Sequence, residues 1–123
     1  MEQPGTNSGS PSEDQTIPIL DHAAALETAG GDEELVDLLR STCLQEAPNI
    51  IAQAKTAVAE SDWKTARRSG HSLRSSFGAI GAMFASAKSA ELEGVKQDDP
   101  DLFKAAIETV ENALQELADH VQS

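Results

Sequence analysis

The chain has 123 residues, a formal net charge of −12, no Tyr, one Trp and three Phe, which bounds it to one domain with a tail. So acidic a chain is excluded as a general binder of nucleic acid or of anionic membrane surfaces. Abundant Ala with scarce aromatics suits thin helices packed closely rather than a β-sandwich, and the single Cys43 excludes an internal disulfide and fits a reducing cytosol.

Residues 1–16 carry no aliphatic or aromatic side chain after Met1 and are rich in Ser, Gly, Pro and acid. Such a stretch cannot offset the entropy of ordering and is expected to be a disordered polar tail, with the folded domain at 17–123. It has no apolar h-region, so it does not read as a signal peptide, and no run approaches the ~18 apolar residues of a membrane span. A cytoplasmic protein is the expectation.

Ile17 to Leu20 begins the folded part. Asp21 is an N-cap for a short helix through about Thr28, ended by Gly30-Gly31. Asp32 caps a second helix whose inner face reads as Leu35, Leu38, Leu39, Thr42 and Cys43. Pro48 either kinks one long helix or opens a new one. Beyond it, Ile50, Ile51, Ala54, Ala57 and Val58 carry an apolar face to Glu60.

Ser61 or Asp62 caps the next helix, with Trp63 at its start as a staple onto the bundle end. Ala66, Gly70, Leu73, Phe77 and Ile80 recur at three- and four-residue steps, the stripe a bundle core needs. The opposite side carries Lys64, Arg67, Arg68, His71, Arg74, Ser75 and Gly78, all within roughly a third of a turn at 100° per residue. Four of the nine basic residues thus form one patch on an acidic body. Like charges one turn apart cost an isolated helix roughly 0.2–0.5 kcal/mol per pair, so the stripe does not serve the helix itself.

Gly78 and Gly81 are expected to end that helix or turn it sharply. A further helix over about 82–96 has a broad, Ala-diluted face of Met83, Phe84, Ala87, Leu92 and Val95, which leaves its register open. Asp99-Pro100 is a start signal for the last helix. Its stripe of Phe103, Ala106, Val110, Leu114, Leu117 and Val121 is the cleanest in the chain. The pattern predicts an all-α fold: an antiparallel up-and-down four-helix bundle with one or two additional N-terminal helices.

The stretch from His71 to Ala82 resembles the histidine-containing phosphotransfer (HPt) domain of two-component phosphorelays. That pattern runs His-x-Leu-Lys-Gly-small-small, then a bulky apolar residue and Gly-Ala. His71, Leu73, Ser76, Ile80, Gly81 and Ala82 match it. Arg74 keeps the charge of the usual lysine, Ser75 stands where glycine is usual, and Phe77 where a small residue is commoner. The likeness runs from about Leu20 to Val121 and takes in Gly30 to Asp32, Glu46 to Pro48, the Ser-Asp-Trp before the motif helix, and Leu92-Glu93.

The resemblance implies a central motif helix with His71 exposed midway and phosphorylated as a relay intermediate. The phosphoryl group would pass to or from an aspartate of a response-regulator receiver domain, with a hybrid histidine kinase as another partner. No cofactor is expected on this chain, since the receiver brings its own Mg²⁺. A neutral imidazole is a competent nucleophile toward phosphorus, and phosphoryl transfer needs charge neutralisation more than covalent help. Arg74 and Ser75 are then the residues to meet the phosphoryl oxygens, and Lys64, Arg67, Arg68 and Gly78 those to receive an acidic partner. In chemotaxis-kinase versions an acid at the Leu92-Glu93 position lies near the active histidine, but the open register makes a solvated carboxylate the default here. Paired Glu-x-x-His motifs for a di-iron site are missing, His22 and His120 stand near opposite ends of the fold, and no nucleotide-binding motif occurs, so no metal and no kinase or hydrolase activity are expected. A monomer is expected, and the alternative function is a helical module that keeps the fold and binds a receiver or kinase without phosphotransfer.

Overall fold

A computed structural model describes residues 17–122, so the polar segment 1–16 lies outside the described residues. Five helices follow in order: α1 (His22–Thr28), α2 (Glu33–Ala59), α3 (Trp63–Ala79), α4 (Met83–Glu93) and α5 (Pro100–Gln122). Four of the five start on a capping aspartate, while α4 starts after Ala82 with no side-chain cap. Asp21 accepts from the Ala24 N–H at 3.0 Å, Asp32 from Glu34 and Leu35, Asp62 from Thr65 at 3.1 Å, and Asp99 from Asp101 at 2.9 Å. Each carboxylate satisfies a backbone donor that the first helical turn leaves unpaired.

Helices α2 to α5 form the bundle, with α3 packed on α2 and α4, and α5 closing the ring against α4 and α2. Connections of a few residues make sequential helices antiparallel. One extra N-terminal helix, α1, rests on α2 and α3. The question at Pro48 resolves as a single helix, since α2 runs unbroken through it. The bundle core is a continuous cluster in which Leu73, Phe77, Ile80, Leu92, Phe103, Val110 and Leu117 are all but fully buried.

The five-residue stripe of α3 is buried as its spacing predicts: Ala66, Gly70, Leu73, Phe77 and Ile80 all face inward. The inner face of α2 differs from expectation. Leu38 is 60% exposed, Leu35 and Thr42 also face outward, and Val36, Cys43 and Ala47 are buried in their place. Ala25 of α1 and Ala29 just after it cover Val36 in a small separate cluster, while Cys43 and Ala47 join the bundle core. Burial pushes the Cys43 thiol up to about 11, as befits a small buried hydrophobe.

Two further corrections concern the ends of α3 and α4. Gly78 lies within α3, and only Gly81, at φ +76°, makes the turn. A Cβ at Gly81 would run into the Asp21 carbonyl, whose own N–H donates to the Gly81 carbonyl at 2.7 Å. The turn thereby receives the segment 17–21, with Ile19 and Leu20 packed on the core and the Phe84 N–H donating to the Pro18 carbonyl. Helix α4 stops at Glu93 rather than near Lys96, so Val95 sits in the connection to α5.

Candidate functional site

The site is built on the outer face of α3 and the last turn of α4. His71 stands at the middle of α3 with its side chain 58% exposed. Its Nδ1 lies 2.8 Å from Oε2 of Glu93. Arg74, one turn along, donates from Nε to the other carboxylate oxygen of Glu93 at 2.7 Å, and its Nη2 stands 3.1 Å from the same Nδ1. Nδ1 can offer a hydrogen or a lone pair, not both, so only one of its two close contacts is a hydrogen bond. A lone pair facing an ionised carboxylate at 2.8 Å would be repelled. We therefore assign the proton to Nδ1, donating to Glu93, with the Arg74 guanidinium close beside the ring.

The carboxylate is held ionised. The hydrogen bond from Arg74, and after it the one from His71, lowers the Glu93 pKa below the usual carboxylate range. Fixing the proton on Nδ1 leaves Nε2 as the nitrogen with a lone pair, and it has no hydrogen bond to a described residue. His22 shows the contrast. Its Nε2 pairs with Glu33 at 2.9 Å and its Nδ1 with Arg40 at 3.3 Å, so both of its nitrogens are engaged.

The rest of the predicted stripe divides in two. Lys64 and Arg68 are exposed and make no ion pair with a described residue. Arg67 is tied into the structure. Its Nε donates to the Val95 carbonyl at 2.7 Å, its Nη2 to Asp98 at 2.8 Å, and its guanidinium lies 5.2 Å over the Phe103 ring. Phe103 also stacks on Trp63 at 5.3 Å, the aromatic that staples the start of α3. So Arg67 and Arg74 turn toward α4 and the connection after it, while Lys64, Arg68 and His71 face outward.

Ser75 is exposed one turn after His71, and Ser76 is half-buried. Phe77, the other departure from the motif, is completely buried and does not obstruct the histidine face. A Cβ at Gly78 would meet only Ser86 Oγ, at 3.6 Å, so packing does not demand glycine there. Ser86 itself donates to the Arg74 carbonyl at 2.9 Å and ties α4 to the turn that carries the site. Reading the sequence missed how Glu93 engages His71, and a signal for it stood directly before the histidine. At Gly70 the end of α4 comes so close to α3 that a Cβ would meet the Glu93 backbone.

Among the described residues no group of three or more His, Cys, Asp or Glu could hold a metal ion, and no helix is long and apolar enough to cross a membrane. No curated protein and no solved structure matches the chain. The sequence model of the Hpt domain does match, over residues 37–120, which spans α2 from its second turn through nearly all of α5. The chain belongs to the Hpt domain family, the phosphotransfer modules that work with receiver domains and histidine kinases in two-component signalling.

Proposed function

We propose that this chain is a phosphorelay intermediate that carries the phosphoryl group on Nε2 of His71. The observation that carries the reading is the Nδ1–H···Glu93 hydrogen bond, which leaves Nε2 as the nucleophilic nitrogen of an exposed ring. In the forward step the Nε2 lone pair attacks the phosphorus of an aspartyl phosphate on a receiver domain. An N–P bond forms, the P–O bond to the aspartate breaks, and the aspartate leaves as its carboxylate. The Nδ1 proton stays where it is, so the ring gains positive charge as the bond forms, and the Glu93 carboxylate stabilises that charge. Arg74, beside the ring, neutralises phosphoryl oxygens, and the receiver supplies the Mg²⁺. The same step in reverse returns the group to an aspartate.

Ser75, at the exposed position one turn along, joins Arg74 at the phosphoryl group, and Gly78 leaves room for the incoming domain. The two departures from the motif are compatible with this, because Phe77 is buried and Ser75 is small and exposed. The test is incubation with a panel of receiver domains charged by acetyl phosphate and Mg²⁺, followed by mass spectrometry. The expected result is acid-labile phosphate on His71 in the parent and none in His71→Gln. Equal labelling of His71→Gln, or a parent that takes phosphate from no receiver while binding one, overturns the reading in favour of a docking module.

A further inference from the structure

Gly70 is buried on the seam between α3 and α4, directly before His71 and against the backbone of Glu93. A Cβ there would lie 2.5 Å from the backbone nitrogen of Glu93 and 3.0 Å from its Cα and from Cγ of Leu92. The obstacle is backbone on one side and a side chain 1% exposed on the other, so nothing flexible could give way. Glycine inside a helix is unfavourable relative to alanine, and its presence in the middle of α3 asks for a reason. Gly78 in the same helix has no such reason, since its nearest neighbour would be at an ordinary 3.6 Å.

We propose that Gly70 is a positioning residue for His71, acting through Glu93. Its missing side chain lets the end of α4 lie where the Glu93 carboxylate reaches Nδ1, and so fixes which ring nitrogen is free to react. The inference deepens the phosphotransfer reading and rests on it for its kinetic consequence. Bringing an alanine Cβ from 2.5 Å to an ordinary contact of 3.4 Å requires α4 to withdraw by about 0.9 Å. The same displacement would stretch the 2.8 Å Nδ1–Glu93 bond to about 3.7 Å, beyond hydrogen-bonding reach. With no acceptor behind Nδ1, the proton is free to move to Nε2 and block the nucleophile.

The experiment measures the His71 tautomer by ¹⁵N NMR of the ring and the phosphoryl-transfer rate at saturating charged receiver. It compares the parent, Gly70→Ala, Glu93→Ala and the double variant. The parent should hold its proton on Nδ1. Gly70→Ala should shift the proton toward Nε2 and slow transfer by roughly tenfold, and should change neither quantity further once Glu93 is already alanine. An unshifted tautomer in Gly70→Ala overturns the proposal, as does an equal loss of rate with and without Glu93, which would mark a general packing role. Should Gly70→Ala fail to fold, Glu93→Asp draws the carboxylate back without touching the seam and must give the same tautomer shift. If it does not, the placement that Gly70 permits is not what matters. A parent that takes no phosphate sinks the relay reading, while the tautomer arm still decides the role of Gly70.

Discussion

At His71 the decisive charge sits behind the ring, and it belongs to a residue on another helix. Arg74 and His71 both stabilise the ionised form of Glu93, so its folded pKa lies below its unfolded one. A depressed carboxylate pKa adds stability that is present above the ordinary carboxylate value and is lost as pH falls through the lowered one. The parent should therefore melt higher than Glu93→Ala at about pH 6, and the gap should close as pH drops below about 4. Thermal unfolding followed by circular dichroism across that range checks it. A gap that survives at about pH 2 would mean that the charge of Glu93 is not what holds the triad. The His71–Arg74 face was legible because helical spacing alone gathers it. How Glu93 meets it was not, because α4 buries Ala85, Lys88, Ser89 and Leu92, a set that mixes polar and apolar residues and so gives little hydrophobic contrast to reveal which side faces inward. The engagement of Arg67 was hidden for a different reason. Its partners Val95 and Asp98 lie in an irregular connection that has no period to read.

At the scale of elements, four of the five helix starts were written in Asp21, Asp32, Asp62 and Asp99, each of which caps the helix it precedes, and only α4 starts without a side-chain cap. Local hydrogen-bond chemistry decides such positions, so sequence suffices for them. Packing between helices does not reduce to spacing in the same way. Leu35 and Leu38 lie on the apolar stripe that spacing gives α2 and Val36 does not, yet α1 comes down on Val36 and leaves the leucines outside. Pro48 was undecidable for a related reason, since tertiary contacts on both sides of it hold α2 continuous. Cys43 and Ala47 before it and Ile51 and Ala54 after it are all buried against the same core. A proline inside a helix costs about 3 kcal/mol relative to alanine, partly offset by the stiffness it gives the unfolded chain. Pro48 is exposed, so nothing is lost in packing when it is replaced. Pro48→Ala should stabilise the protein by about 1–3 kcal/mol. That would appear as a higher urea midpoint at unchanged slope. A lower midpoint would mean that the geometry proline imposes on α2 is needed to seat Cys43 and Ile51 together.

Across the whole molecule, a body of net charge −12 presents one basic face, and the structure divides that face by what each cation already holds. Arg67 is neutralised by Asp98 and Arg74 by Glu93, while Lys64 and Arg68 are exposed with no ion pair to a described residue. Steering of an acidic receiver should therefore fall to Lys64 and Arg68, against the repulsion of the acidic remainder of the chain. Steering acts at a distance and is screened over ~8–10 Å at physiological salt. On the proposed reading Arg74 meets the phosphoryl group at contact, where intervening salt has little room to screen. Neutralising Lys64 and Arg68 together should slow capture of a charged receiver by roughly tenfold at low salt, with the defect fading at high salt and no effect on the rate at saturation. Arg74→Ala should do the opposite, with a defect that persists at saturating receiver and at high salt. Stopped-flow association and single-turnover transfer, each run across a salt series, separate the two. If both variants lose their defects together as salt rises, Arg74 belongs to the docking surface, and His71 must find its charge neutralisation wholly in the partner.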